Sequence, residues 1–209
     1  MVLCLGVLGF ALFGGCGVVA RSGGSIQIQS LAGEGLDPTG AETPAVRVAP
    51  AFRTAIYRSN NPNHVSVVLS DIPADDLAEG RFPESGFQVV LLEMLWLPRA
   101  GATPLDPTAT NATVRHLIFG PTSAIGVFGG GGFLYPRNDV GDSSLRGSVY
   151  DATLRLSDAS DDFVNRLGTT TLEGTFTARR DADLMNDIAI TLNTEVSRRL
   201  GKVMFVMGD

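Results

Sequence analysis

Cysteine is nearly absent from the chain: of 209 residues only Cys4 and Cys16 carry a thiol, and both fall within the first twenty positions. The remainder therefore has no disulfide, no thiol nucleophile and no thiolate metal site. A body of this length does not need them, because above ~150 residues a hydrophobic core suffices. Histidine is equally scarce, with two residues, so side chains that titrate near neutral pH are few. Charged residues make up 18% of the chain, below the usual quarter or so. Lysine occurs once, as Lys202, and the arginines are scattered rather than clustered. With a net charge of −6 this excludes the concentrated positive field that a nucleic-acid binder requires. Beyond the N-terminus no apolar run approaches the ~20 residues that span a bilayer. Hydrophobic residues nevertheless reach 44%, which excludes disorder of the whole chain.

The first twenty residues, MVLCLGVLGFALFGGCGVVA, contain no charged side chain, and Arg21 is the first basic group. An apolar stretch at the extreme N-terminus reads as a secretory signal, here without the customary Lys or Arg ahead of the apolar run. Within it, Leu12-Phe13-Gly14-Gly15-Cys16 resembles a bacterial lipobox, in which small residues precede a cysteine. Gly14 and Gly15 suit the pattern, and Phe13 stands where leucine is usual. The resemblance implies that Cys16 carries a diacylglyceryl thioether and becomes the acylated first residue of the mature protein. Two or three acyl chains at ~0.8 kcal/mol per buried methylene make such an anchor effectively permanent. Two other outcomes stand beside it: cleavage after Ala20, with Val18 and Ala20 as the small flanking residues, or an uncleaved membrane helix weakened by its glycines.

Three segments follow. Residues 1–20 are the leader. Residues 21–50, rich in Gly, Ser, Pro and Thr, read as a tether or wrapping segment, with one strand-like alternation at Ile26-Gln27-Ile28-Gln29. Residues 51–209 form a single β-rich domain. In it Val65, Val67 and Leu69 fall on one side of His64–Ser70, while Tyr150, Ala152, Leu154 and Leu156 alternate with polar neighbours, and so do Leu172, Gly174, Phe176 and Ala178. That alternation is the mark of antiparallel strands with one face buried. Further strands are expected at 52–58, 112–119, 123–128 and 132–135, and the doubly apolar run 87–97 reads as a strand covered on both faces. The fold class is mainly β, an antiparallel β-sandwich or jelly-roll-like domain with short helices. Short helices are expected at 74–79 and 161–167. A longer amphipathic one covers 181–200, where Leu184, Ile188, Leu192, Val196 and Leu200 recur every four residues and Gly201 supplies the stop. The tail 203–207 reads as an edge strand.

Candidate chemistry is sparse. Glu93 interrupts an apolar run, so it needs a partner, a proton or a bulge; Arg115 is the expected neighbour. His64 leads into a strand and His116 lies within one; meeting Glu93 in space they could form a two-histidine, one-carboxylate metal set, although nothing in their spacing demands it. The run Phe128-Gly129-Gly130-Gly131-Gly132-Phe133 lacks the lysine of a phosphate loop and the serine elbow of an esterase, and reads as a hairpin or bulge. Asp139 and Asp142, and Asp158, Asp161 and Asp162, read as solvated acidic turns rather than calcium loops. Asn111-Ala112-Thr113 fits a glycosylation acceptor, which a bacterial lipobox makes irrelevant.

The sequence thus leads to an exported, lipid-anchored envelope protein with a binding or structural role. No catalytic residue, cofactor or metal is assigned, no nucleic acid is involved, and the partners are the membrane and an envelope protein. Its place is the membrane, facing periplasm or exterior, or a secreted soluble form if cleavage follows Ala20. Two alternatives differ in class. A periplasmic or extracellular hydrolase requires a buried Glu93 within ~5–9 Å of a second carboxylate. A small-ligand or lipid carrier requires an apolar cavity between sheet and helix.

Overall fold

The computed structural model describes residues 23–31, 46–98 and 110–207; the leader, with Cys16 and Ala20, lies outside the described residues. In chain order the elements are β1 (Gly23–Ser30), β2 (Arg47–Val48), β3 (Thr54–Asn61), β4 (His64–Ser70), α1 (Ala74–Glu79), β5 (Phe87–Met94), β6 (Ala112–Phe119), β7 (Ile125–Pro136), β8 (Ser144–Ala159), β9 (Thr170–Arg180) and α2 (Ala182–Leu200). The chain is mainly β and almost wholly antiparallel, as its alternation implies. Strands β3 to β9 follow one another as a meander in one nine-stranded sheet. That sheet folds back on itself. β9 bonds β8 along one edge, and along the other it bonds β1 and then, in parallel, β3 at Ile56↔Arg179 and Tyr57↔Arg180.

Folding back gives two facing walls with one apolar layer between them. Alternate residues of every strand point inward, among them Tyr57, Val67, Leu92, Val114, Phe128, Leu154 and Leu172, all essentially inaccessible. A second layer lies outside. Ile56, Val68, Val89, Leu91, Leu117 and Val127 present the other parity of β3–β7 to α2, which answers with Met185, Ile188, Leu192 and Val196. β5 is therefore buried on both faces, which is why its sequence shows no alternation. The helix begins where the sequence places it. The Asp181 carboxylate accepts the Leu184 amide at 3.1 Å, acids open the first turn, Arg198 and Arg199 close the last, and Gly201 ends it in the left-handed region at φ 66°.

Several segments depart from the sequence reading. Residues 23–30 of the wrapping segment are a full strand, paired with β9 over their whole length. The two short strands expected at 123–128 and 132–135 are one, β7, and the four glycines run inside it, with a register shift between Gly131 and Phe133 where β8 bulges at Asp151. A close approach explains the glycine at 130: a Cβ there would lie 1.8 Å from the Thr153 carbonyl oxygen. Residues 161–167 are not helical, because Phe163 is drawn against Gly126, into space a Cβ would occupy at 2.2 Å from its ring. The tail 203–207 is not a strand. It doubles back along α2, where Ser197 Oγ accepts the Met204 amide (2.9 Å) and Asn193 Oδ1 accepts the Val206 amide (2.8 Å).

Candidate functional site

The residues singled out in the sequence do not assemble into one site. His64 and Glu93 meet: Nε2 lies 3.2 Å from Oε1, on the same outward parity of β4 and β5. Glu93 is half-buried rather than sealed, and its partner is His64 and not Arg115, whose Nη1 donates instead to the Val206 carbonyl at 2.8 Å. His116 stays apart because its strand parity points it inward, between the walls, where Nε2 bonds Gln88 Oε1 at 2.9 Å and the ring is inaccessible. The three-residue metal set is therefore not formed, and among the described residues no group of three or more His, Cys, Asp or Glu side chains could hold a metal ion. Burial lowers the His116 imidazole to about 4, so it is neutral at physiological pH. Its Nδ1 has no hydrogen-bond partner, which leaves nowhere to place a second ring proton.

The acidic turns do what turns require. Asp139 Oδ1 accepts the Gly141 amide (2.8 Å), and Asp142 Oδ2 accepts from Asn138 (2.7 Å). Asp158 pairs with Lys202 at 2.6 Å. Asp162 accepts from Ser160 and Ser123, and those hydrogen bonds hold its carboxyl below the ordinary range. Asp161 is exposed. Asn111 is fully buried, donating to the Leu134 carbonyl and accepting the Leu134 amide at 2.8 and 2.7 Å, so its amide is committed to the fold rather than open to a glycan.

A broad concavity lies elsewhere, in an open groove of about 840 Å³ between the segment after α1, the β6–β7 turn and the C-terminal half of α2. Its apolar wall is Phe82, stacked on Phe87 with centroids 4.8 Å apart, which in turn stacks on Phe119 at 4.2 Å. Its helix wall offers Ile190, exposed at 66%, with Thr191 and Thr194. At the far end Glu195 is shared by two arginines. Arg198 forks onto both its oxygens (2.8 and 2.7 Å), and the buried Arg199 reaches Oε1 at 2.6 Å. Arg199 also donates to the Gly120 and Ala124 carbonyls and lies 5.2 Å above the Phe119 ring. Burial alone would raise the Glu195 carboxyl, but the hydrogen bonds and charges of both arginines outweigh it and hold the group below its usual value. The triad carries one cation in excess, fixed in position, with no nucleophile beside a free base. Such a groove can recognise a ligand by shape, hydroxyl contacts and charge; the ionised groups of the triad are spent on one another, and the exposed Glu84 adds a carboxylate to the groove's lining. The Glu195–Arg198–Arg199 spacing was the available sequence signal, since i,i+3 and i,i+4 pairs meet on a helix.

Comparison of the chain with family models, curated proteins and solved structures finds no match.

Proposed function

We propose that the chain is an exported, lipid-anchored envelope protein that binds a partner in the groove between α1 and α2 and performs no chemistry there. The anchor reading is supported by the Leu12-Phe13-Gly14-Gly15-Cys16 segment, which stands seven residues ahead of the first strand. The observation that carries binding over hydrolysis is the Glu195–Arg198–Arg199 network: its carboxylate is ionised and fully engaged, where a hydrolase needs a buried proton donor or base left free, and the groove's other carboxylate, Glu84, is solvent-exposed. Glu93 serves hydrolysis no better, since it is half-exposed and bonded to His64. A carrier role is disfavoured by the space between sheet and α2, which Met185, Ile188, Leu192 and Val196 fill.

Mass spectrometry of the N-terminal peptide, on protein from fractionated native membranes, tests the anchor: a diacylated Cys16 supports it, and a free Arg21 terminus in the soluble fraction removes it. The groove is tested in living cells by a photo-crosslinking residue at Ile190, with the equally exposed Val164 as control. A discrete adduct at 190 and none at 164 is expected; equal, diffuse labelling at both would remove the binding assignment.

A further inference from the structure

The end of the fold at which β1 begins carries a second depression, about 380 Å³ and open, on the wall that α2 does not cover. Register places its residues in rows across four strands. Gly23 pairs with Thr177, Thr177 with Arg146, and the Arg137 amide bonds the Arg146 carbonyl at 2.8 Å. The next outward row is Ser25, Thr175, Ser148 and Tyr135. The floor is thus made of small residues, and two exposed arginines, Arg137 and Arg146, stand at its rim. Arg137 is held in place from below, its Nε donating to Ser148 Oγ at 2.7 Å and its Nη2 to the Tyr150 hydroxyl at 3.3 Å. Tyr135 and Tyr150, both exposed, pack edge to face beside it at 5.8 Å. At the same end β5 runs out into Leu95, exposed at 51%, and Trp96, the only tryptophan of the chain. Asn111 ties the Trp96 carbonyl to Leu134, next to Tyr135.

We propose that this end of the domain rests on the phospholipid surface, with Arg137 and Arg146 taking lipid phosphates and Tyr135, Leu95 and Trp96 at the headgroup level. The proposal deepens the anchor reading and rests on it for one argument, the length of the tether. Seven residue steps separate Cys16 from Gly23, and at ~3.6 Å per residue they reach at most about 25 Å. Gly23 itself lines the depression, so an acylated Cys16 keeps the edge of the depression within that distance of the bilayer. The other arguments are independent of the anchor. Guanidinium groups match phosphate oxygens in a fork, and tyrosine and tryptophan favour the membrane interface because one end of each is apolar and the other wet. The nearby carboxylates Asp139 and Asp142 are engaged within their own turn, and Asp181 is paired with Arg179 at 2.7 Å. Glu173 stands one outward row beyond Thr175, and Asp151 follows Tyr150 at the β8 bulge, so both lie just past the arginine rows rather than among them.

The test uses the protein as its host makes it, purified from membranes and placed in phosphatidylcholine–phosphatidylglycerol vesicles in which one lipid is brominated. Trp96 fluorescence is expected to be quenched, and raised salt should relieve the quenching. Replacing Arg137 and Arg146 by Glu should shift the contact equilibrium by roughly fivefold or more per arginine while Cys16 acylation, measured by mass in the same sample, is unchanged. Acylated protein with unquenched Trp96, or quenching indifferent to the double replacement, overturns the proposal and leaves the anchor intact. Unacylated protein that is still quenched, and loses quenching in the double variant, upholds the proposal and removes the anchor; neither acylation nor quenching overturns both.

Discussion

His116 ties the stability of the fold to pH in a way that can be isolated by one substitution. The ring is inaccessible, its Nε2 side is used by Gln88, and its Nδ1 faces no acceptor, so burial lowers the group from 6.5 to about 4. Between those values the unfolded chain takes up a proton that the folded chain refuses, and stability must therefore fall as pH falls. The loss begins near the unfolded value and is complete below the folded one. At 1.36 kcal/mol per unit the full effect is roughly 3 kcal/mol, of which about 2 kcal/mol appears between pH 7 and pH 5. Replacing His116 by Gln keeps a polar side chain opposite Gln88 and removes the titration. The assay is urea unfolding of both proteins at a series of pH values, followed by Trp96 fluorescence. Carboxylate contributions are common to the two chains, so the difference between their unfolding free energies should shift by about 2 kcal/mol in favour of the variant from pH 7 to pH 5. A difference that stays flat over that interval refutes the argument, because a histidine that protonates as easily folded as unfolded is not sealed between the walls.

Neighbouring glycines of β7 should separate sharply. Gly130→Ala drives a methyl into the Thr153 carbonyl, whereas at Gly129 a Cβ would meet only Ser157 Oγ at an ordinary 3.6 Å; unfolding should show a loss of several kcal/mol for the first and a change within ~1 kcal/mol, of either sign, for the second. Glu195→Ala leaves Arg199 buried without its carboxylate and should cost about 3 kcal/mol, while Arg198→Ala, at a side chain 59% exposed, should cost under ~1 kcal/mol; thermal unfolding of the two variants separates them. Leu192→Ala opens a cavity between α2 and the sheet and should lower stability by about 2–5 kcal/mol in urea unfolding, with the β-sheet circular dichroism of the folded state unchanged.

What could be read from the residues, and what could not, divides along the range of the interactions. β8, β9 and α2 are local patterns: alternation at 152–156 and 172–178, a four-residue repeat from Leu184 to Leu200, an Asp cap and a Gly stop; Tyr150, expected on the face of Ala152, is instead turned outward by the bulge at Asp151. β7 was harder, since glycine has no side chain to mark parity and four in succession resemble a turn; only pairing with β6 and β8 on both sides makes them strand. The tail 203–207 is apolar throughout and reads as an edge strand, but Asn193 and Ser197 supply its hydrogen bonds from the helix. Glu93 was visible as an interruption, yet its partner depends on a register that places His64 and Glu93 on one face and His116 on the other. The depression rimmed by Arg137 and Arg146 includes Gly23, over a hundred residues away in the chain, and no local pattern brings them together.

The two concave surfaces stand at opposite ends of one strand. β7 begins at Ile125, beside the turn that supplies Gly120 and Thr122 to the α1–α2 groove, and ends at Pro136, beside Arg137. Twelve residues at ~3.3 Å each separate them by roughly 35–40 Å. β7 is paired on both sides and buried over much of its length, so that separation is rigid. On the proposed anchoring, a domain seated at its arginine end presents the groove up to about 35–40 Å above the lipid, at the end away from the headgroups. The tether sets only an upper limit on distance, whereas the seated arginines set orientation. Losing Arg137 and Arg146 therefore affects the groove without touching it: the partner meets the same surface, but on a domain free to turn on a tether of about 25 Å. Crosslinking at Ile190 in living cells should then fall in the double variant while the purified protein unfolds at the same urea concentration. Unchanged crosslinking would show that the partner reaches the groove whatever way the domain faces, and the link between the two ends would be lost.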